Sequence, residues 1–203
     1  KVIAAINYNL PFRHKGLLRN TSLKLFYSGY SASGYSFAYT NDMNGDGINN
    51  DMMYIPKDDS EIKFKNEADR TAFWNFVDQD SYLKNHKGEY AEAYAARAPW
   101  VHRFDLRITE DFSFKAGKTE HHFQLSLDFM NIGNMINSKW GVMKNASSSN
   151  GCRILKYEGM DDNKTPIFSM YKINGEYPTE TYSYNRIYTE CWKMQVGIRY
   201  IFN

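Results

Sequence analysis

The stretch Val101–Lys115, VHRFDLRITEDFSFK, decides the fold class. Its even positions Phe104, Leu106, Ile108, Phe112 and Phe114 are apolar, whereas Arg103, Asp105, Arg107, Thr109, Asp111 and Ser113 are polar. A period of two marks a β-strand with one apolar and one polar face, and within the stretch only Glu110 breaks it. His122–Met130 repeats the pattern, with Phe123, Leu125, Leu127 and Phe129 against Gln124, Ser126 and Asp128. The short polar turn Ala116–Glu120 joins the two as a hairpin.

Working outward, the C-terminal run alternates Trp192, Met194, Val196, Ile198, Tyr200 and Phe202 with Lys193, Gln195, Gly197 and Arg199. Weaker versions occupy Val2–Leu10 (Val2, Ala4, Ile6, Tyr8, Leu10) and Thr21–Tyr30 (Leu23, Leu25, Tyr27). The expected strands are approximately 1–10, 21–40, 101–115, 121–136 and 191–203. A tilted transmembrane β-strand needs roughly 9–11 residues, which these segments supply. Connections alternate in length: Pro11–Asn20 and Ala116–His121 are short, while Ser31–Trp100 and Asn137–Glu190 are far longer than compact soluble domains use. Short turns on one side and long loops on the other are the arrangement of outer-membrane barrels. With the C-terminus periplasmic, both long loops, about 41–100 and 137–190, fall outside the cell. Within the first, Asn66 can cap a helix carrying Ala68, Ala72, Phe73, Phe76 and Val77 on one stripe, and a second short helix fits Asp80–Asn85. Within the second, Arg153–Tyr157 and Pro166–Tyr171 can pair across Asp161-Asp162-Asn163.

Composition narrows the function classes. Lys+Arg 25 against Asp+Glu 23 gives a net charge of +2, which argues against a nucleic-acid partner. No run approaches the ~20 apolar residues of a membrane-spanning helix. Mean hydropathy is -0.63, yet aromatics reach 16%, an excess that suits amphipathic rings at the two membrane interfaces. Tyr8, Tyr27, Trp100, Phe112, Phe114, Trp192, Tyr200 and Phe202 are the candidates for that placement. The N-terminal Lys1–Ile6 is not a signal peptide, so the expectation is an intracellular protein or part of a longer chain.

Several motifs are similar to those of one family. Tyr35-Ser36-Phe37, then Asp42-Met43-Asn44-Gly45-Asp46-Gly47 and Asn50–Pro56, resemble a late extracellular loop of Bacteroidetes-type TonB-dependent outer-membrane receptors. Pro99-Trp100 before Arg103–Arg107, followed by Asp128–Asn134, resembles the next two strands, and Met194–Asn203 resembles the family's C-terminal strand. The resemblance implies an all-β, transmembrane antiparallel barrel of about 22 strands around an N-terminal plug. This chain would supply roughly the last five strands, with long extracellular loops, one of them carrying short helices. The partners implied are outer-membrane lipid, the rest of the barrel and the plug, the TonB complex through the N-terminal part, and a surface lipoprotein. The task implied is wall and gate in nutrient uptake at the bacterial outer membrane, not catalysis; the substrate stays open. Five strands alone would leave two bare edges.

Asp42, Asn44, Asp46 and Gly47 match positions 1, 3, 5 and 6 of a calcium loop, where short oxygen-bearing side chains converge. Met53 stands where a bidentate Glu is usual, and Asp51 with the Ile48 carbonyl can complete the set. Ordinary Asx turns are the alternative. Cys152 and Cys191 are the only cysteines, near the mouth of the last long loop. A bridge there would contribute about 3–4 kcal/mol in the loop-entropy picture; two free thiols are the alternative. His14, His86, His102, His121 and His122 are scattered, and no nucleophile or phosphate-binding motif is present, so an enzyme is not expected. Arg103, Asp105 and Arg107 share one strand face, either as a lumen-side charge ladder or as a solvated surface. The rival reading is a secreted, calcium-containing β-sandwich that binds carbohydrate. A repeat-built adhesin is disfavoured because the sequence has no internal repeats.

Overall fold

The computed structural model describes residues 1–10, 18–32, 34–146 and 152–202. His14, most of the Pro11–Asn20 turn and Asn203 lie outside them. Five long strands form one antiparallel sheet: β1 (Val2–Asn9), β2 (Leu18–Ser31), β3 (Trp100–Ala116), β4 (Thr119–Met130) and β5 (Lys193–Phe202), paired in that order. Chain order and spatial order coincide, as expected where each strand hydrogen-bonds to its sequential neighbour. The protein is mostly β with antiparallel sheets. The sheet is open: β1 and β5 each pair on one side only among the described residues, and no closed barrel forms.

The chain divides into two units. One comprises Lys1–Ser31, Trp100–Met143 and Tyr184–Asn203, and contains the sheet; the other comprises Ala32–Pro99 and Lys144–Ser183. Connectivity accounts for this division: the β1–β2 and β3–β4 turns lie at one end of the sheet, and the two inserted segments leave and return at the other. The long connections between strands fold on a core of their own. Phe37, Met53, Ile55, Phe73, Val77, Leu83, Ile154 and Leu155 are buried at its centre. Arg153–Met160 pairs antiparallel with Pro166–Met170, the expected hairpin, and each is flanked by a short parallel strand, Ala38–Tyr39 and Lys63–Phe64 respectively.

Helix α1 (Glu67–Gln79) starts where expected, with the Asn66 side chain accepting from the Asp69 N–H at 2.9 Å. Its buried face is Asp69, Phe73, Phe76 and Val77. Ala68, expected on that face, is exposed; Asp69 takes the inner position because its carboxylate accepts from Tyr177 Oη at 2.8 Å and from the Met170 N–H at 3.3 Å. Asp80 caps α2 (Ser81–Asn85) through the Tyr82 and Leu83 N–H groups and accepts from Thr181 Oγ1 at 2.6 Å. Both carboxylates are buried, and each ties the 166–183 segment to a helix of the other insertion. A buried charge persists when its acceptor capacity is used, as it is here.

Two strand boundaries differ from expectation. The strand foreseen over 21–40 starts at Leu18 and leaves the sheet after Ser31; Phe37, Ala38 and Tyr39 are consecutively buried, so alternation has ended there. The strand foreseen over 121–136 stops at Met130, and Ile132–Ile136 forms the short helix α3. Asn131, at φ 53°, turns the chain into the left-handed region, and its N–H donates to Asp105 Oδ1 at 2.7 Å. Asparagine tolerates that conformation better than most residues.

Candidate functional site

Register puts like with like on each face of the five-stranded sheet. Ile6, Leu25, Leu106, Phe129 and Met194 form one continuous row across all five strands, and Tyr8, Leu23, Ile108, Leu127 and Val196 form the next. On the opposite face Asn7, Lys24, Arg107, Asp128 and Gln195 form a polar row, beside a smaller one of Ser22, Thr109, Ser126 and Gly197. The sheet is a single layer whose apolar rows carry no covering layer among the described residues, and polar-face Lys24, Arg107 and Gln195 are exposed as well. On the central strand the buried positions Thr109 and Ser113 belong to the polar face, while Phe104 and Phe114 on the apolar face are among the exposed large hydrophobics. Ile6 and Ile198, at the two outer strands, are 65% and 74% exposed.

Many polar-face side chains pair with one another, and Arg103 Nε is buried without a hydrogen-bond partner among the described residues. Arg107 binds both carboxylate oxygens of Asp128, with Nη2 at 3.0 Å from Oδ2. Ser22 Oγ lies 2.5 Å from Thr109 Oγ1, and Gln124 Nε2 donates to Asp111 Oδ1 at 2.8 Å. An open hollow of about 620 Å³ has Lys24, Asp105, Arg107, Asp128 and Gln195 among its lining. Arg103, Asp105 and Arg107 do share this face, but they bind different elements rather than one another. Arg103 Nη2 donates to Glu190 Oε2 at 2.6 Å and to the Gly141 carbonyl at 3.0 Å. Asn131 Nδ2 donates to the same Gly141 carbonyl at 3.2 Å and to the Glu190 carbonyl at 2.7 Å. Gly141 has to be glycine: its φ is +64°, and a Cβ would fall 1.9 Å from Asn131 Oδ1.

Rings on the apolar face gather at its two ends. At the turn end Phe123 stacks on Phe112 at 5.4 Å and meets Tyr200 at 4.7 Å, and Tyr200 Oη lies 2.5 Å from His121 Nδ1. At the other end Tyr27 meets Phe104 at 5.0 Å and His102 at 6.1 Å, with Trp100 beside His102. Between them the rows are mainly aliphatic. The exception, Glu110, marks a defect in the ladder. Register slips between Leu18 and Asn20, and the Asn20 N–H donates to Glu110 Oε1 at 3.2 Å while Thr21 Oγ1 donates to Oε2. A β-bulge leaves the extra residue out of the regular pairing, and here a carboxylate supplies the acceptor.

In the second unit the acidic loop is wrapped by its own hydrogen bonds. Asp42 Oδ1 accepts from the Gly45 N–H at 2.7 Å and the Asp46 N–H at 3.3 Å, and Oδ2 from the Gly47 N–H at 2.7 Å. Those donors hold the Asp42 carboxyl below the usual carboxylate range, the Gly47 N–H most of all. Asn44 Oδ1 accepts from the Asp46 N–H, Asp46 Oδ1 from the Ile48 N–H, and Asp51 Oδ2 from the Met43 N–H at 2.6 Å. The Ile48 carbonyl accepts from the Asn50 N–H. Asp42, Asn44, Asp46, Ile48 and Asp51 thus lie on one closed loop, but no group of three His, Cys, Asp or Glu side chains is disposed to hold a metal among the described residues. Met53, at the twelfth position, is fully buried in the core.

The two cysteines are both free thiols in this structure, the second of the two readings: Cys152 is buried in the core of the inserted unit, while Cys191 is exposed next to β5. Burial, with the Asp80 charge adding to it, pushes the Cys152 thiol up to about 12. Burial and the Tyr182 hydrogen bond likewise raise Tyr35 far above its ordinary value. His86 stacks on Tyr82 at 4.2 Å and serves the core.

No family model, no curated protein and no solved structure matches the chain. Sequence reasoning missed Asn131, Asn134 and Glu190 as rim residues, although an Asn-x-x-Asn spacing directly after an alternating run was their visible signal. It also read Glu110 as mere noise in the period.

Proposed function

We propose that the five-stranded sheet is a wall segment of an outer-membrane β-barrel, of the kind found in TonB-dependent receptors, with its apolar face toward lipid and its polar face toward the lumen. The observation that carries this reading is that the apolar rows of the sheet lie uncovered, with aromatic rings at both ends of the apolar face. From Phe104 to Phe114 a strand rises about 34 Å at ~3.4 Å per residue. Tilted by about 40°, that spans roughly 26 Å, the height of the apolar band of such barrels. The two unpaired outer strands support the same reading, since a long bare edge is an aggregation hazard that a closed barrel removes. The inserted unit, joined to the strand ends opposite the short turns, is then an extracellular recognition body in energy-driven nutrient uptake. Its further partners in this proposal are the plug, the TonB complex and a surface lipoprotein. Calcium belongs to the proposal as the ion ordering the Asp42–Asp51 loop, its support being the residue pattern alone. The rival sandwich module requires a second layer over the apolar rows, and their exposure speaks against it.

The test compares Leu127→Arg with Gln195→Arg in the full chain folded into lipid bilayers. Leu127 lies in an all-apolar row, whereas Gln195 faces Asp128 in the polar row. The first should cost about 2–4 kcal/mol near mid-depth and the second little. Leu125 is unsuitable because Glu110 lies directly opposite and would pair with the new cation. Equal effects of the two substitutions would remove the lipid-facing assignment.

A further inference from the structure

We infer that the segment Ile132–Met143 is an interfacial anchor that seats in the headgroup region of a lipid bilayer, with Met135, Ile136 and Trp140 as its apolar contacts; this rests on the wall reading above. The amphipathicity of α3 is reversed. Its buried residue is Asn134, while Met135 and Ile136 are 55% and 76% exposed. A helix of a soluble protein turns its apolar residues inward, so an amide inside and a Met-Ile pair outside calls for an apolar medium around it.

Asn134 also fixes where this patch lies. Its Nδ2 donates to the Ser138 carbonyl at 3.0 Å and the Trp140 carbonyl at 3.1 Å, and its Oδ1 accepts from the Trp192 N–H at 3.2 Å. One buried amide therefore bridges the backbones of Trp140 and Trp192. Trp192 directly precedes β5 and shares the parity of its apolar series Met194, Val196, Ile198 and Tyr200, so the amide ties the Trp140 backbone to the start of that series. Trp140 lies over Gly133, where a Cβ would meet it in ordinary contact at 3.7 Å.

Charge selects the occupant. From Ile132 to Met143 the sequence has no Asp or Glu, and its one charge is Lys139. Lys139 Nζ sits 5.9 Å from the centroid of the Tyr184 ring. Exposed tryptophans with an adjacent lysine are a residue set that lies at a boundary between acyl chains and anionic headgroups, and the neighbouring acid Glu190 is neutralised by Arg103. Trp100, Trp140 and Trp192, three of the four tryptophans, belong to this unit and are all about half exposed.

The experiment places the full chain in phosphatidylethanolamine–phosphatidylglycerol vesicles and reads single-tryptophan proteins that retain Trp140, Trp192 or Trp74, the others being Phe. Lipids carry a nitroxide either at the headgroup or in mid-chain. Trp140 should emit to the blue and lose more emission to the headgroup nitroxide than to the mid-chain one, with Trp74 unaffected by either. Ile136→Glu, a change at an exposed position, should shift Trp140 emission to the red and reduce its quenching. If Trp192 is quenched by lipid while Trp140 stays open to iodide, the anchor is wrong and the wall reading stands. If neither is quenched, both fall. Shielding of Trp140 from iodide without lipid quenching would mean that protein covers the patch, which also overturns the anchor.

Discussion

Replacing Glu110 by Leu would complete the apolar alternation of β3, and the sequence pattern alone predicts that this stabilises a lipid-facing strand. The structure predicts the opposite. Removing an acidic side chain from an apolar surface gains something below the 2–4 kcal/mol quoted for basic residues at mid-depth, so about 1–2 kcal/mol. Against this, Leu leaves the Asn20 N–H at the bulge and the Thr21 hydroxyl without the acceptor they now share. An orphaned donor costs about 1–3 kcal/mol, the upper end applying in the proposed lipid setting, where water does not replace the partner. With both donors orphaned the net expectation is a loss of about 0–5 kcal/mol, centred near 2–3. Glu110→Gln keeps one carbonyl oxygen and should cost about 1 kcal/mol. Thr21→Val in the Leu background removes one orphan and should recover part of the loss. The assay is reversible urea unfolding of the full chain in lipid bilayers, followed by tryptophan emission. A Glu110→Leu protein as stable as the parent would refute the reasoning, because the carboxylate would then have no role in the bulge.

Other outcomes concern the inserted unit. In the native protein one thiol per chain, Cys191, should react with a disulfide reagent near neutral pH, and Cys152 should react only on unfolding because burial keeps it protonated; two equally fast thiols, or none, would contradict this. Asp42, Asp59, Glu158 and Asp161 are all held below the ordinary carboxylate value, by the Gly47 N–H, Arg70, Ser169 and Lys63 respectively as first causes. Their stabilisation is complete above the unfolded value of about 4 and is lost as pH falls through the lower folded values, so the inserted unit should weaken only below about pH 4; stability that rises there in an acid titration followed by circular dichroism would count against it. Calcium, as proposed, should slow proteolysis within residues 41–53, and Asp46→Ala should abolish that protection; cleavage indifferent to both leaves Asx turns as the whole account.

The long alternating runs were legible because a strand with two chemically different faces writes its period into the sequence. The rows of β3, β4 and β5 could be read from Phe104, Leu125 or Val196 without any neighbour. What could not be read was the fate of the insertions. Phe37, Met53, Ile55, Leu83 and Leu155 meet from positions scattered between 37 and 155, and no local period connects them. The Asn66 cap and the Arg153–Met170 hairpin were visible because each is local. Asp69 and Asp80 were not, since their partners Tyr177 and Thr181 lie about a hundred residues away. Cys152 and Cys191 looked paired by position in the chain, but position is silent about a core that claims one of them.

Alternation by itself does not say which face meets water, and this is where the structure adds to the sequence. In a soluble sheet the apolar rows are covered and the polar rows are wet. Here Thr109 and Ser113 are covered while Ile6, Val196 and Ile198 are open. The inserted unit, made by the same chain, obeys the ordinary rule, with its apolar side chains inside. One sequence therefore carries both polarities, divided at Ser31, Trp100, Met143 and Tyr184. A uniform solvent cannot reward both, because the transfer free energy that buries Phe73 and Leu155 would equally penalise an exposed Ile198. The proposed wall reading supplies two: water around the insertions and hydrocarbon around the sheet. The mean hydropathy of -0.63 averages over these two regimes and so conceals both.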